Sequence, residues 1–321
     1  MKTVINDELM PFDLPQNQSS IIKVLGVGGG GSNAVNFMCR QGIKDVDFVV
    51  CNTDAQALTN SPVPVKIQLG ESLTEGRGAG NKPEIGKEAA LENLDDIIKV
   101  LSSNTKMVFI TAGMGGGTGT GAAPVIAKAA KELGILTVGI VTLPFRFEGN
   151  RRLSQAINGI KEIKQHVDSL LVIDNEKLSE ISGGLAIRDA FSTADNVLTV
   201  AAKGIAEIIT VHGLVNVDFA DVQFVMTDSG VALMGSHTAD GKDRAIDAIK
   251  SALTSPLLNN NNIKGATNIL LNVTSGAEEV TMEEIKRINE YVQEAAGQSA
   301  DLIWGNTYDE NLQGELTVTI I

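Results

Sequence analysis

One stretch of nine residues, Gly113–Gly121, contains six glycines and lies between the apolar run Met107–Thr111 and a helical pattern at Ala122–Leu133. Glycine loses more conformational freedom on folding than any other residue, so packing alone is a poor explanation for this density. Thr118 and Thr120 add hydroxyl groups that can donate hydrogen bonds to phosphate oxygens. The stretch therefore predicts a phosphate-binding loop between a strand and a helix.

A second glycine-rich stretch, Gly26–Gly31, ends the apolar run Ile21–Val27 and precedes a predicted helix at Asn33–Gln41. At such a turn, free backbone N–H groups and the positive end of the helix dipole can hold a phosphate. The stretch also matches the dinucleotide-binding pattern G-x-G-x-x-G, with Asp54 as a candidate ribose-binding acid. This match alone leaves a tight packing turn open as the alternative.

Apolar runs alternate with helical patterns from residue 21 to residue 173, an order that predicts a doubly wound parallel sheet in an α/β domain. The predicted strands are Ile21–Val27, Phe48–Cys51, Lys66–Leu69, Met107–Thr111, Ile135–Leu143 and Leu170–Ile173. The predicted helices between them are Asn33–Gln41, Pro83–Ser102, Ala122–Leu133 and Arg151–His166.

A long helix is predicted at Ser192–Val211, and the elements after it follow an α+β order. Helices are predicted near Asp218–Thr227, Arg244–Leu253 and Thr281–Ala296, and strands near Val231–Met234, Asn268–Val273, Asp301–Trp304 and Leu316–Ile321. We expect a loose arm at residues 1–20, a nucleotide-binding domain at 21–191, a central helix and loop at 192–217, and a smaller α+β domain at 218–321.

The net charge of −13 argues against nucleic acid and anionic membranes as partners. We therefore expect any phosphate to be held by backbone N–H groups, helix N-termini, a few side chains and a metal ion. The sequence shows no secretory signal and no apolar stretch of transmembrane length, so we expect no membrane insertion. Cys39 and Cys51 lack metal-site spacing and are expected to be reduced thiols in a cytoplasm. The three histidines are far apart, and no protein metal site is expected.

The segment Gly115–Gly121 resembles the signature of the tubulin/FtsZ family, and the resemblance covers about Ile21 to the last residue. Four further blocks are similar to the bacterial cell-division branch of the family rather than to eukaryotic tubulin: Asn52–Leu58, Gly78–Glu84, Pro144–Gly149 and Asn216–Val222. The disordered linker and anchor-binding peptide that usually end this branch are absent, so the chain is expected to be a globular core.

The resemblance implies a GTPase that holds GTP or GDP at the C-terminal edge of the sheet, with Mg²⁺ neutralising phosphate charge. It places the nucleotide against Gly29, Gly30, Gly31, Ser32, Asn33, Gly117, Thr118, Gly119, Thr142, Glu148, Arg152, Asn175, Phe191 and Asp195. Of these, Asn175, Asp195 and Phe191 would contact the base. On sequence alone, Arg152 as a solvated charge, Asp195 as a helix N-cap and Phe191 as a core residue remain alternatives.

Asp218 and Asp221 lie three residues apart at the start of a predicted helix and share one of its faces. Capping of that helix is the alternative role. If Asp195 contacts the base, the long helix carries the chain roughly 30 Å away, so these acids cannot reach the γ-phosphate of their own chain. The resemblance implies that they act on the next subunit, with Asn216 supporting the loop.

The resulting expectation is a cytoplasmic GTPase that assembles head to tail into filaments of a mid-cell division ring. Membrane anchors and regulators of division are further partners that the resemblance implies. An NAD-dependent oxidoreductase using Gly26–Gly31 is one alternative, but it leaves Gly113–Gly121 unexplained. A nucleotide-binding regulator that neither hydrolyses nor assembles is another, and the presence of Asp218 and Asp221 counts against it.

Overall fold

The computed structural model describes residues 19–43, 45–177, 186–211, 215, 217–254, 263–297 and 300–321. The first part contains the strands β1 Ile22–Val27, β2 Asp47–Asn52, β3 Val65–Gln68, β4 Met107–Gly113, β5 Leu136–Leu143, β6 Ser169–Asp174 and β7 Gly230–Val231. Its helices are α1 Gly28–Gln41, α2 Ala55–Thr59, α3 Glu71–Thr74, α4 Pro83–Glu92, α5 Leu94–Leu101, α6 Thr118–Glu132, α7 Asn150–Ile163, α8 Ile187–Thr210 and α9 Phe219–Met226. The expected arm at 1–20 lies outside the described residues except for its last two.

The first sheet runs in the order β3-β2-β1-β4-β5-β6-β7, and all its pairings are parallel. After β1 the chain builds outward through β2 and β3, and it then returns to place β4 on the other side of β1. The connections from β1 and β4 therefore diverge and open a crevice at the C-terminal edge of the sheet, where ligands bind in doubly wound folds. Both glycine-rich stretches follow these two strands.

Apolar layers cover both faces of this sheet, which confirms the predicted doubly wound arrangement. Ile22 and Val24 of β1 belong to a layer shared with α1, α8 and α9, whereas Leu25 and Val27 face the layer built with α4, α5 and α6. Strands buried on both faces read as continuous apolar runs, which is the pattern seen in the sequence.

Several predicted element bounds are wrong, and each error has a local cause. The helices α1 and α6 begin at Gly28 and Thr118, inside the glycine-rich stretches, because glycine permits the close contacts described below. The single helix predicted at Pro83–Ser102 is two helices, which break at Asn93. The Asn93 side chain accepts a hydrogen bond from the backbone N–H of Gly70 at 2.8 Å, so it is drawn out of the helix.

The second sheet has the order β10-β9-β11-β8 and mixes parallel with antiparallel pairs. Its elements are β8 Gly235–Ala239, α10 Arg244–Leu253, β9 Asn268–Ser275, α11 Met282–Ala296, β10 Asp301–Tyr308 and β11 Leu316–Ile320. Both of these helices contribute to its apolar core, as the predicted α+β class requires. No helix in the described parts of the chain is long and apolar enough to cross a membrane.

The strand predicted at Val231–Met234 is wrong, because the chain changes sheets there. Gly230–Val231 pairs with β6 in the first sheet, and the next strand of the second sheet begins at Gly235. Apolar side chains of α9, including Val222 and Val225, also belong to the core of the first sheet. The domain limit at residue 218 stays a prediction, and residues 219–231 pack with the first sheet.

Candidate functional site

Two helix N-termini meet in the crevice between β1 and β4. Neither the N-terminus of α1 nor that of α6 has a side-chain cap. They are in close contact, since a Cβ atom placed on Gly28 would lie 2.7 Å from the backbone nitrogen of Gly119. The first turns of both helices thus offer unpaired N–H groups and positive dipole ends at one place, which is the requirement for binding an anion such as a polyphosphate.

Glycine is required here because the backbones of the two loops touch. Gly28 has a φ of +71°, and a Cβ atom on Gly119 would lie 2.6 Å from the carbonyl oxygen of Gly113. A Cβ atom on Gly31 would lie 2.2 Å from the carbonyl oxygen of Thr111. By contrast, Gly29 is exposed and has open space around its missing side chain, so this part of the first loop faces the crevice.

The threonine hydroxyl groups of the second loop form hydrogen bonds within the protein. Thr118 Oγ1 and Thr53 Oγ1 share a hydrogen bond of 2.7 Å, and Thr120 Oγ1 accepts a bond of 2.8 Å from the backbone N–H of Gly115. The Thr120 hydroxyl thus braces the loop, and the Thr118 hydroxyl ties it to the segment after β2; donation by these hydroxyls to phosphate stays a prediction. In the first loop, the buried Ser32 hydroxyl has no hydrogen-bond partner within the described part of the chain.

The ends of β5 and β6 extend the crevice beyond the second loop. Thr142 lies opposite Gly113 in the register of β4 and β5, and its carbonyl oxygen accepts from the backbone N–H of Met114 at 3.0 Å. Asn175 directly follows β6 and is only 5% exposed. Its Oδ1 atom has no partner among the described residues, and a buried amide oxygen of this kind calls for an explanation such as a ligand donor.

Glu148 and Arg152 lie beside the second loop. The Glu148 carboxylate pairs with the Arg152 guanidinium and also accepts from the backbone N–H of Phe145 at 3.1 Å. The carbonyl oxygen of Arg152 lies so near the loop that a Cβ atom on Gly115 would approach it to 2.8 Å. Arg152 therefore adjoins the loop at the start of α7, although its guanidinium is partly exposed, as the solvated-charge alternative also expects.

Phe191 and Asp195 lie one turn apart on α8 and share a face of that helix. Phe191 is 41% exposed and packs edge-to-face on Phe145 at 5.2 Å between ring centroids, so it is not the core residue of the alternative. Asp195 lies within the helix rather than at its N-cap, because α8 begins five residues earlier than predicted. Burial raises the pKa of the Asp195 carboxyl to about 6.

Sequence reasoning missed Phe145, which organises this side of the crevice. Its ring stacks on Phe147 at 5.1 Å and contacts Phe191, joining the segment after β5 to the long helix. The pair Pro144-Phe145 lies in the family-like block Pro144–Gly149, whose sequence alone indicates no role for the aromatic rings. The available signal in the sequence was the pair Phe145 and Phe147, two residues apart directly after a predicted strand.

Asp54 does not act as a ribose-binding acid. Its carboxylate caps the N-terminus of α2, where Oδ1 accepts from the backbone N–H groups of Gln56 and Ala57 at 2.9 and 3.0 Å. An acid that is committed to a cap in this way does not mark a dinucleotide site. The dinucleotide-binding interpretation of Gly26–Gly31 therefore lacks the ribose-binding acid that it requires.

Asp218 and Asp221 lie at the N-terminus of α9, and the chain that follows this helix returns to the N-terminal end of β6. Asp218 caps α9 by accepting from the backbone N–H of Asp221 at 3.0 Å, and the Asp221 carboxylate accepts from the backbone N–H of Asp218 at 3.2 Å. The strand after α9 pairs with the first residue of β6, Ser169, whereas Asn175 follows the last residue of that strand. The expected supporting residue Asn216 lies outside the described residues.

The family comparisons cover both parts of the chain. Residues 21–183 match the GTPase domain of the tubulin/FtsZ family, and residues 230–321 match the C-terminal domain of the FtsZ family. The sequence is 48% identical over 306 residues to the cell division protein FtsZ of Buchnera aphidicola subsp. Baizongia pistaciae, covering 95% of this chain and 79% of that protein. It is also 48% identical over 320 residues to the cell division protein FtsZ of Porphyromonas gingivalis, covering 99% and 70%.

Solved structures agree with this assignment. An empty FtsZ dimer from M. jannaschii is 44% identical, has a TM-score of 0.88, and is matched over 95% of this chain and 88% of that one. A protofilament of CetZ2 from Haloferax volcanii, solved with GTPγS, is 22% identical with a TM-score of 0.79 over 93% and 91% of the two chains. The second similarity extends the shared fold to more distant proteins.

Proposed function

Because this chain belongs to the tubulin/FtsZ family and carries both the GTPase domain and the FtsZ C-terminal domain, we propose that its filaments are head-to-tail polymers in which each active site is completed by the next subunit. The chain is a cell-division GTPase that forms filaments. The observation that supports the proposal is that the chain after α9, the helix that Asp218 caps, pairs with the start of β6, at the end of the strands opposite to the glycine loops.

The phosphates of GTP are proposed to lie on the two helix N-termini. Backbone N–H groups of Gly29, Gly30 and Gly31 would bind one side of the triphosphate, and those of Gly117, Thr118 and Gly119 the other. Ser32 and Asn33 follow in α1, and the unpartnered Ser32 hydroxyl suits a ligand oxygen. Thr142, Glu148 and Arg152 would contact the sugar and the phosphates.

Mg²⁺ is proposed as the counter-ion of the bound triphosphate. The described residues contain no group of three or more His, Cys, Asp or Glu side chains arranged to hold a metal ion. Mg²⁺ suits such a site, because it keeps several waters and is commonly held through substrate phosphates rather than by a protein cage. Its part would be to neutralise the charge that develops on the phosphate oxygens.

The base is proposed to lie between the aromatic ring of Phe191 and the polar atoms of Asn175 and Asp195. Guanine presents two adjacent donors, N1–H and the 2-amino group, and an ionised carboxylate can accept from both. Adenine lacks this donor pair, so it would leave the half-buried Asp195 carboxylate unpaired. This chemistry supports GTP rather than ATP as the nucleotide.

Hydrolysis is proposed to occur only at a filament interface. The α8 helix has 24 residues, which at about 1.5 Å per residue separate its ends by roughly 35 Å. Asp218 and Asp221 would orient the water that attacks the γ-phosphorus of the neighbouring subunit's GTP, with Asn216 supporting their loop. Such a head-to-tail contact uses two different surfaces and produces an open filament.

The cellular setting is proposed from the relatives. The cell division proteins of the same family suggest a cytoplasmic protein located at the mid-cell division site. Membrane anchors and regulators of division are the proposed partners beyond other copies of this chain. The net charge of −13 disfavours direct binding to nucleic acid or to anionic membranes.

The concentration dependence of GTP turnover tests the proposed function. If the site needs two subunits, turnover per molecule should be nearly absent in dilute protein and should rise steeply above a threshold concentration. Light scattering on the same samples should show filaments appearing at that threshold. A constant turnover per molecule across the threshold would reject the shared site, and GTP binding without turnover at any concentration would support the non-hydrolysing alternative.

The raised pKa of Asp195 predicts that nucleotide binding weakens in acid. Above pH 7 the carboxyl is ionised and accepts both guanine donors, whereas below its pKa of about 6 a proton occupies one acceptor. The dissociation constant of GDP should be flat from pH 7 to 8 and should rise about tenfold by pH 5. Calorimetry on unassembled protein measures it, and Asp195→Asn is the control that should lack this step.

A further inference from the structure

The acid-bearing helix α9 is tied on both sides: before it, Val215 exchanges two hydrogen bonds with Asn306 of β10, and after it the chain bonds to the start of β6. The helix has only eight residues, and in the chain after it Gly230 N–H donates to the Asp168 carbonyl at 3.0 Å. Ser229 Oγ lies 3.4 Å from the same carbonyl. Asp168 is itself locked to β5, because its backbone N–H donates to Thr137 O at 2.8 Å and its Oδ2 accepts from Thr137 N at 2.9 Å.

One lysine joins this anchor to a different helix. Lys131, in the last turn of α6, places Nζ 3.2 Å from Asp168 Oδ1 and 2.8 Å from Asp228 Oδ1. Asp228 lies two residues after α9 and has a φ of +49°, a left-handed conformation that few residues other than glycine, asparagine and aspartate adopt. The hydrogen bond that Lys131 donates to Asp228 contributes most to raising the pKa of Lys131, and the Asp168 carboxylate raises it further.

We propose that Lys131 is a positioning residue, which fixes the direction of α9 and so the placement of Asp218 and Asp221 against the neighbouring subunit's nucleotide. The inference rests on the proposed function, because it concerns the acids that one subunit supplies to another. Lys131 is far from its own chain's phosphates, since α6 begins at Thr118 in the glycine loop and thirteen residues of helix span about 20 Å.

The ion pairs of Lys131 can fix the orientation of α9, although they add little to the free energy of folding. The Asp228 side chain is 75% exposed and that of Lys131 is 37% exposed, so water screens their attraction and the pair adds little to the free energy of folding. The Asp168 side chain, at 8% exposure, supplies the rigid side of the contact. A small rotation of a short helix moves its N-terminal carboxylates, and a displacement of about 1 Å is enough to lower a reaction rate substantially.

The first test replaces Lys131 by methionine, which keeps the length of the side chain and removes its charge. Turnover per assembled subunit should fall about tenfold, while GDP affinity and the thermal midpoint of the monomer stay near the wild-type values. Amide hydrogen exchange should quicken locally in residues 219–231. Lys131→Arg should restore turnover, because it keeps the charge. The matched control is Lys128→Met, one turn earlier on α6. Lys128 forms only an exposed ion pair with Glu132 in the described structure, with 3.8 Å between Nζ and Oε1.

A mixed assembly shows which site Lys131 serves. Lys131→Met has an intact nucleotide pocket, and Asp218→Asn has an intact pocket but lacks an acid. If Lys131 positions the acids given to a neighbour, a mixture of the two should be no more active than the two measured apart. If Lys131 instead acted on its own pocket, interfaces joining an Asp218→Asn pocket to the acids of a Lys131→Met subunit would regain turnover, and the proposal would be overturned.

The two proposals fail in different ways. Loss of the threshold in wild-type protein would reject the shared active site and with it the role of Lys131. A clear threshold in wild-type protein, together with unchanged turnover in Lys131→Met filaments, would reject Lys131 alone. A loss of turnover in Lys131→Met that Lys128→Met reproduces would also reject it, because that result would point to the general charge of α6.

Discussion

Replacing Asp218 by asparagine is expected to lower GTP turnover in filaments by about a hundredfold or more, with little change in nucleotide binding. Asparagine caps a helix as well as aspartate does, so α9 keeps its N-terminal hydrogen bond to the backbone N–H of Asp221. What is lost is the negative charge that would draw a proton of the attacking water. The change therefore separates the proposed catalytic role of Asp218 from its capping role.

The measurement compares turnover at equal filament mass, so that weaker assembly is not read as weaker catalysis. GDP affinity of the unassembled variant should match the wild type, because the acids are proposed to act on the neighbouring subunit's nucleotide and not on their own. Thr281→Ala is a useful control, since it removes the N-cap of α11 in the second domain, where loss of a cap is expected to cost about 1 kcal/mol without touching the interface acids. Unchanged turnover in Asp218→Asn filaments would show that Asp218 serves only as a cap.

The two glycine-rich loops could be predicted from the sequence alone, because they depend on backbone contacts rather than on side chains from distant elements. Six glycines in Gly113–Gly121 have few explanations, and the contacts around Gly119 show why a side chain is excluded there. The alternation of strands and helices predicted a parallel, doubly wound sheet, whereas the order that places β1 beside β4 came only from the structure. The predicted strands of the first part lie within one residue or two of those observed.

Features that depend on contacts between residues far apart in the chain could not be predicted from the sequence. The break at Asn93 depends on a hydrogen bond from Gly70, and the aromatic group around Phe145 depends on a ring from α8. The switch of the chain between sheets after Val231 depends on a pairing of only two residues. Local sequence patterns do not predict such contacts, because each contact depends on how whole helices and strands pack together.

The contact of Lys131 with Asp168 and Asp228 belongs to this second class. Its members come from α6, the start of β6 and the turn after α9, and no spacing in the sequence links them. On sequence alone, each of the three residues would be predicted to be a solvated surface charge. Their geometry shows that the N-terminal end of β6, opposite to the glycine loops, is held by ion pairs, as expected if this end positions residues for a neighbour's active site.

Replacing Asp195 by asparagine is expected to move the nucleotide preference from GTP to xanthosine triphosphate. Guanine offers a donor at N1 and another at the 2-amino group, and the ionised Asp195 carboxylate would accept from both. Xanthine keeps the donor at N1 but has a carbonyl oxygen in place of the amino group. The asparagine amide both accepts and donates, so it fits xanthine and leaves guanine with two donors facing each other.

The size of the change follows from the cost of unpaired polar groups in a half-buried site. Each mismatched pair costs about 1–3 kcal/mol, so GTP affinity should fall about a hundredfold or more, and xanthosine triphosphate should bind Asp195→Asn more tightly than it binds the wild type. Folding is not expected to suffer. Burial raises the pKa of Asp195, so its ionised form opposes folding at pH 8, and a neutral amide removes that cost.

Competition between the two nucleotides for the unassembled protein gives the affinity ratio directly. Filaments of Asp195→Asn that form with xanthosine triphosphate and hydrolyse it would link the base contact to assembly, because the phosphates and the interface acids are unchanged. Thr199→Ala serves as the control one turn along α8, where a hydroxyl bonds to the backbone carbonyl of Asp195 at 2.8 Å and has no part in reading the base. If Asp195→Asn lost GTP without gaining xanthosine triphosphate, and Thr199→Ala kept GTP, the carboxylate would act on something other than the guanine edge. If both variants bound both nucleotides equally weakly, a distortion of α8 would be the cause. The Thr199 hydroxyl forms its hydrogen bond to the α8 backbone in the described structure.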